Sequence, residues 1–439
     1  MLAALLCASL AARGAALVPA RAEAAVLFDG AGGIAGLHQF LETAGTKSRA
    51  LAPYELSRES IALFGPDLLS GAPGWGLDPR GARALVFAGN AYALSAPVRD
   101  GKAARKALIA WVGAAGPWSK RTGRRNPISA GSGRSQRAGI VAPQEGSVRL
   151  LTASGRGAEM LVAALWRIGA QRSPTRTLAH DRRLEPLLPA GNGKAALIVR
   201  GDDPITFAVL ELSADASSVV ARGLVGAPSP LLAGHAPDAS ACTESSLFCL
   251  RASLGLSGKA ALALASQMYL SGTSPAGPLA DLLQKETSRA ESLVLLSSGI
   301  DVSLLDEPKS SLWALHLVAA LAGVTPHDRP LDLEAGDGPR KRCLRAEGPT
   351  LQMASPCVDL RIALREGDGP ALQATADPAA IDAALSRLNA FDALRGSVPA
   401  TLVGARLLVG GFLRGSAPFT LSGEPDPLGA RIELRWSLR

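Results

Sequence analysis

Aromatic side chains are scarce: Phe, Trp and Tyr make up 4% of the 439 residues, and only three are Tyr. Sugar binding and single-strand nucleic-acid binding both use exposed rings as platforms, and a core leaves few to spare, so no nucleic-acid partner is expected. Histidine is sparse as well. His38, His180, His235, His316 and His327 fall into neither HxH nor HExxH nor another metal spacing, and no metal is expected. The pairs His180-Asp181 and His327-Asp328 are adjacent in sequence, which does not orient a carboxylate toward an imidazole. Gly-x-Ser-x-Gly, the phosphate-binding Gly-x-x-x-x-Gly-Lys-Ser/Thr and the kinase glycine loop are all missing. No catalytic residue and no cofactor follow from the sequence.

Long apolar runs are missing too. Leu312–Val324 is short and contains His316, and Thr401–Leu413 is interrupted by Arg406, so neither can span a bilayer as a helix. Leu2–Ala12 is apolar but briefer still, and Ala22-Glu23-Ala24 supplies the small-x-small pattern of a signal peptidase site. This predicts a signal peptide over 1–24 and a periplasmic or secreted protein. Four cysteines then remain. Nearness in sequence favours disulfides Cys242 with Cys249 and Cys343 with Cys357, with free buried thiols as the alternative.

What the chain does contain is a recurring unit. Ala84–Ala88 and Ala91–Val98 are strand-like runs joined across Gly89-Asn90, a pair suited to a tight hairpin. Asp100 then caps a helix with Ala104, Leu108, Trp111 and Val112 on one side. A second unit runs from Ala138 to Ile168, turning at Gln144-Glu145-Gly146, with Ser154 as the cap. A third runs from Val358 to Asn389, turning at Gly367-Asp368-Gly369 and capped by Asp377-Pro378. The expected fold is α+β: antiparallel sheets with helices packed on one face, in two related halves built from ββα units. A length of 439 residues fits two domains, and the polar, basic stretch Gln171–Leu188 reads as their boundary, giving halves 25–188 and 189–439. In the second half, runs at 195–199, 205–212 and 219–225 suggest a meander.

Two glycine-rich stretches invite functional readings. Val26–Leu37 superficially has the strand, glycine turn and helix of a dinucleotide-binding fold, but no second strand ending in an acid follows, so a simple lead into a helix is expected. The basic loop 118–137 carries Lys120, Arg121, Arg124, Arg125, Arg134 and Arg137 among Gly and Ser, with no acid. These six hold most of a net charge that is +8 for the whole chain. They could bind an anionic surface or an acidic partner; a solvated loop is the plainer account.

The order of export signal, Gly-Leu-Asp-Pro at 76–79, hairpin, Ala-Pro-Val-x-Asp at 96–100 and helix resembles uncharacterised exported bacterial proteins built from tandem hairpin and helix units. The resemblance is clearest over 57–168 and implies that architecture, with no activity or site attached. The functional expectation is a non-enzymatic envelope or secreted protein that binds an apolar ligand or a protein partner. A hydrolase with a site assembled from distant residues, and an assembly component using the basic loop, are the alternatives.

Overall fold

The structure, a computed structural model, describes residues 14–29, 33, 35–47, 53–68, 74–120, 127–144, 147–169, 176–188, 195–201, 203–238, 247–261, 290–297, 331–335, 342–347, 350–355, 365–366, 369–386 and 413–439. It consists mainly of antiparallel sheet with a few helices, an α+β protein in the broad sense. Two compact units divide the chain: Met1–Asp202 with Thr206–Gly226, and Asp203–Ile205 with Ala227–Arg439.

The first unit has strands β1 (Ala24–Asp29), β2 (Ala82–Ala88), β3 (Ala91–Pro97), β4 (Trp118–Lys120), β5 (Ile128–Ala130), β6 (Arg137–Gln144), β7 (Ser147–Gly155), β8 (Ala195–Arg200), β9 (Phe207–Ala214) and β10 (Ser218–Gly226). Its helices are α1 (Ala35–Lys47), α2 (Pro53–Phe64), α3 (Gly101–Gly113) and α4 (Ala158–Gly169). The strands run β4-β5-β6-β7-β3-β2-β1-β8-β9-β10, every neighbouring pair antiparallel. Because β1 lies between β2 and β8 with both antiparallel, the glycines after it do not open a parallel βαβ unit of the dinucleotide-binding kind.

The hairpin-then-helix order appears twice in this unit, for reasons visible residue by residue. Ala88 opposes Ala91, which leaves Gly89-Asn90 as a two-residue turn with Gly89 at φ 56°. Asp100 Oδ1 accepts from the amides of Lys102 and Ala103, and Ala104, Leu108, Trp111 and Val112 are the buried residues of α3. In the second hairpin Gln144 opposes Ser147. Its helix starts at Ala158 rather than after a Ser154 cap: Ser154 still belongs to β7, and positive φ at Gly155 and Gly157 carries the chain out of the strand.

The helices do not share one face, which corrects the expected layering. Ala138, Ile140 and Ala142 of β6 and Leu151 and Ala153 of β7 pack with Leu161, Val162 and Leu165 of α4. The alternate residues Val141 and Leu150 pack with Leu108 and Trp111 of α3 and with Phe64, the last residue of α2. Side chains alternate across a strand, so α4 covers one face and α2 and α3 the other. The physical reason is composition: Leu150–Gly155 is buried at every position, and a strand apolar on both sides needs cover on both. Rotation about an axis normal to the sheet can exchange two adjacent antiparallel hairpins but keeps their helices on one face, so the two units repeat in element order rather than in three dimensions.

Two further boundaries move. Residues 176–188 do not part the units. Leu178, Leu184 and Leu187 are buried in the first core, and β8, β9 and β10, the expected meander, continue the first sheet through the β1–β8 pairing. The basic stretch is not one loop, since β4, β5 and a short 3-10 turn at Gly133–Ser135 lie within it and β6 begins at Arg137. Residues 14–23, expected to leave with the leader, pack into this same core through Ala15, Val18 and Ala22.

At the β9–β10 turn, Asp215 Oδ1 accepts from the amides of Ser217 (2.7 Å) and Ser218 (2.8 Å). These bonds, that from the Ser217 amide foremost, favour the carboxylate and draw its pKa down to about 2 although the group is exposed. A depressed acid supports the fold above its unfolded pKa and loses that support as pH falls through its folded one. A carboxyl NMR titration should find the midpoint of Asp215 near 2; a midpoint in the ordinary aspartate range would show that the turn is not held this way.

The second unit has β11 (Pro237–Asp238), β12 (Phe248–Ser253), β13 (Ser292–Ser297), β14 (Leu331–Ala335), β15 (Arg342–Glu347), β16 (Thr350–Ser355), β17 (Arg365–Glu366), β18 (Leu372–Ala376), β19 (Phe419–Asp426), β20 (Gly429–Ser437) and helix α5 (Pro378–Ser386). Strands run β14-β15-β16-β13-β12-β18-β19-β20, antiparallel except for β13 beside β16, and β11 pairs separately with β17. The third expected hairpin is not formed as one. The strand before the Gly367-Asp368-Gly369 turn, β17, pairs with β11, while β18 pairs with β12 and β19; residues 358–364 lie outside the described residues. Its cap is as expected, with Asp377 Oδ1 accepting from the Ala379 amide at 2.9 Å. In β20 the alternation makes a strand, yet Leu434 on its apolar side is 42% exposed.

Candidate functional site

Three segments distant in sequence meet in the first unit around a hollow of about 340 Å³, lined by Ala20, Arg176, Thr177, His180, Asp181, Arg182 and Arg200. Two features place them. Pro19 and Thr177 form an antiparallel bridge, with the Ala20 amide donating to Arg176 O at 2.9 Å and the Leu178 amide to Val18 O at 2.9 Å. Arg200 ends β8, and its backbone amide donates to Glu23 O at 2.8 Å.

The charges are arranged unevenly. Asp181 grips Arg183 with both oxygens, Oδ1 from Nε at 3.1 Å and Oδ2 from Nη2 at 2.9 Å. The side-chain hydrogen bond from Arg183 holds the Asp181 carboxyl below the usual range, and Arg200 adds a weaker coulombic pull. The one carboxylate of the lining therefore stays ionised and is already matched. Among the described residues neither Arg176 nor Arg182 has a carboxylate partner, and both are exposed. Arg200 donates from Nη2 to the Ala20 carbonyl and lies 5.3 Å above the Phe207 ring, with Arg183 over the same ring at 5.7 Å. Its Nε is buried with no acceptor.

His180 is held by its own turn. Its Nδ1 accepts from the Thr177 amide at 3.2 Å and lies 2.8 Å from Thr177 Oγ1, which places the ring proton of the neutral imidazole on Nε2. His180 and Asp181 do not form an acid–base pair, because the carboxylate turns to Arg183. The chemical content of the hollow is an excess of N–H donors and positive charge, suited to a carboxylate or phosphate group.

Of the six cations of the basic stretch three are described, and two of these, Lys120 and Arg137, have partners within the fold. Lys120 Nζ lies 3.3 Å from Glu159 Oε1, whose other oxygen accepts from Ser129 Oγ at 3.2 Å. Arg137 donates from Nη1 to Trp111 O at 2.9 Å and stacks 4.9 Å above the Trp111 ring, and burial pushes its pKa down. Arg134 is exposed in the 3-10 turn; Arg121, Arg124 and Arg125 lie outside the described residues.

Among the expected disulfide residues, Cys249 is 3% exposed and disulfide-bonded. Register shows which cysteine it does not reach. Cys249 opposes Leu296, Leu296 opposes Ala354, and Ala354 opposes Cys343. Three strand spacings, roughly 14 Å, separate the two Cα atoms, and a disulfide bridges no more than about 7 Å. Cys242 and Cys357 lie outside the described residues.

Other sequence candidates fall elsewhere. His235 Nδ1 is 2.8 Å from Gly369 O, a structural contact to a carbonyl, and His38 sits 3.8 Å from Glu42 on α1. His316 and His327 lie outside the described residues. Among the described residues no helix is long and apolar enough to cross a membrane, and no three His, Cys, Asp or Glu side chains gather as metal ligands. The hollow is hidden in the sequence because its basic stretch reads as a linker. The signal was present in Arg176, His180, Arg182 and Arg183 spaced around the apolar Leu178 and Leu184. No protein-family model, curated protein or solved structure matches the chain.

Proposed function

We propose that this is a non-enzymatic, exported binding protein whose first unit holds a small anionic ligand. The observation that carries the reading is the set Arg176, Arg182 and Arg200 around one hollow, with its single carboxylate already satisfied by Arg183. Its volume suits a small molecule, and its lining of charge favours an anion over the apolar ligand expected from the sequence. The Cys249 disulfide supports export, since such bonds persist in oxidising compartments. With Cys343 out of reach, Cys242 remains the proposed partner of Cys249, and Cys343 with Cys357 the second proposed pair. The two related halves reduce in this reading to a shared element order. The basic stretch stays a proposed contact for anionic surfaces only through Arg121, Arg124, Arg125 and Arg134, because Lys120 and Arg137 serve the fold.

Isothermal titration with inorganic phosphate and with succinate at low ionic strength tests the site. Binding of at least one probe is expected, weakening as salt rises. Arg182→Ala and Arg176→Ala, both exposed, should each weaken it about tenfold, the equivalent of one charge-assisted hydrogen bond of about 1.4 kcal/mol. Absence of heat with both probes, or equal affinity in both variants, would remove the proposal.

A second reading, hydrolysis of the bound anion, draws on the 2.8 Å contact between Thr177 Oγ1 and His180 Nδ1. Against it, the same Nδ1 lone pair receives the Thr177 amide, and among the described residues no carboxylate orients the ring. Turnover of p-nitrophenyl phosphate that is lost in Thr177→Val would favour this reading over simple binding.

A further inference from the structure

The segment expected to be cut away at Ala24 is built into the first unit on three sides. Ala15 and Val18 are fully buried and Ala22 is 1% exposed, all within the core that also holds Leu27 and Ile198. Gly14 sits so close to Leu27 that an added Cβ would lie 2.3 Å from its Cδ1. The backbone is tied as firmly as the side chains. Pro19 bridges Thr177, the Glu23 amide donates to Phe87 O at 2.9 Å, and Glu23 O accepts from the Arg200 amide at 2.8 Å. At the far side Arg21 Nη2 reaches Met160 O at 3.3 Å.

A leader is read by its peptidase as an extended, accessible strand and then leaves, so its residues have no reason to complete a core. These do. Removing them would uncover the apolar surfaces that Ala15, Val18 and Ala22 cover, and would strip two amide groups, those of Leu178 and Arg200, of their acceptors. It would also take Ala20 out of the hollow and leave Arg200 Nη2 without the carbonyl it binds.

We propose that residues 14–24 stay in the mature protein as a strap that closes the first core and one wall of the hollow. The strap stands on packing and hydrogen bonds alone, so it holds whether or not the hollow binds an anion.

Two measurements decide it. The intact mass of the protein recovered from its native host should correspond to a chain starting at or before Gly14; a start at Ala25 overturns the proposal. In the full-length chain, hydrogen exchange at the amides of Ala20, Glu23 and Leu178 should be slowed at least 100-fold relative to an unstructured peptide. Exchange within threefold of the unstructured rate overturns it. Val18→Asp should bring the Leu178 amide at least tenfold closer to the unstructured rate, and an unchanged rate counts against the strap. Loss of phosphate binding with the strap still protected would sink the anion reading and leave this one standing.

Discussion

Phe207→Ala is expected to destabilise the first unit by about 3–5 kcal/mol, the cost of emptying a fully buried aromatic site. The ring is 0% exposed and packs in the core with Val209, Ile198 and Leu187. It is also the surface on which the guanidinium groups of Arg183 and Arg200 rest, at 5.7 and 5.3 Å. One side chain thus joins the core to the wall of the hollow. Denaturant unfolding followed by tryptophan fluorescence reports the loss, because Trp75, Trp111, Trp118 and Trp166 all belong to this unit. The midpoint should fall with little change in slope, since the surface exposed on unfolding hardly changes. Phe207→Leu separates the two roles. It keeps most apolar volume, so stability should drop by less than about 1.5 kcal/mol, while the lost cation–π contact, roughly 0.5–2 kcal/mol, should weaken phosphate binding measurably. If Phe207→Leu bound phosphate as tightly as the parent, Phe207 would be a core residue and nothing more.

The parts of this molecule that sequence displays well are those whose partners are close along the chain. The buried side of α3 is readable as Ala104, Leu108, Trp111 and Val112 because a helix brings those positions together by its own period. The Gly89-Asn90 turn and the Asp100 cap are equally local. Layering is less so. Leu150-Leu151 and the uninterrupted burial around them announce a strand covered on both faces, yet which helix covers which face depends on contacts that periodicity does not encode. Polarity misleads most at 171–188, where Arg and Pro suggest a linker while Leu178, Leu184 and Leu187 fasten the described part to the core. The hollow is the extreme case. Ala20, Arg176 and Arg200 meet across some of the longest separations in the unit, and no motif links residues whose proximity is created by the β1–β8 pairing. The packing of residues 14–24 is likewise tertiary: small-x-small suits a peptidase, and small residues also suit a tight wall beside Leu27.

Arg83→Met should make the protein more stable, by about 1–3 kcal/mol, against the usual direction of core substitutions. Arg83 sits on β2 between Ala82 and Ala84 and is 2% exposed. Its Nη2 donates to Asp78 O at 3.2 Å, but Nε and Nη1 are buried with no acceptor. Burial lowers its pKa, and the Asp78 charge offsets only part of that effect. An arginine does not release its proton at neutral pH, so the molecule carries a charge in its interior with most of its hydrogen-bonding capacity unused. Methionine offers a flexible stem of similar reach with no charge to desolvate. Each kcal/mol gained should raise the thermal midpoint by roughly 2–4 °C in a unit of this size. Arg83→Ala serves as the contrast, because it removes the aliphatic stem as well and leaves a void, so it should not show the same gain. A Met variant that unfolds several degrees earlier than the parent would mean that the guanidinium has a partner in solution, and the account of Arg83 as an uncompensated charge would fall.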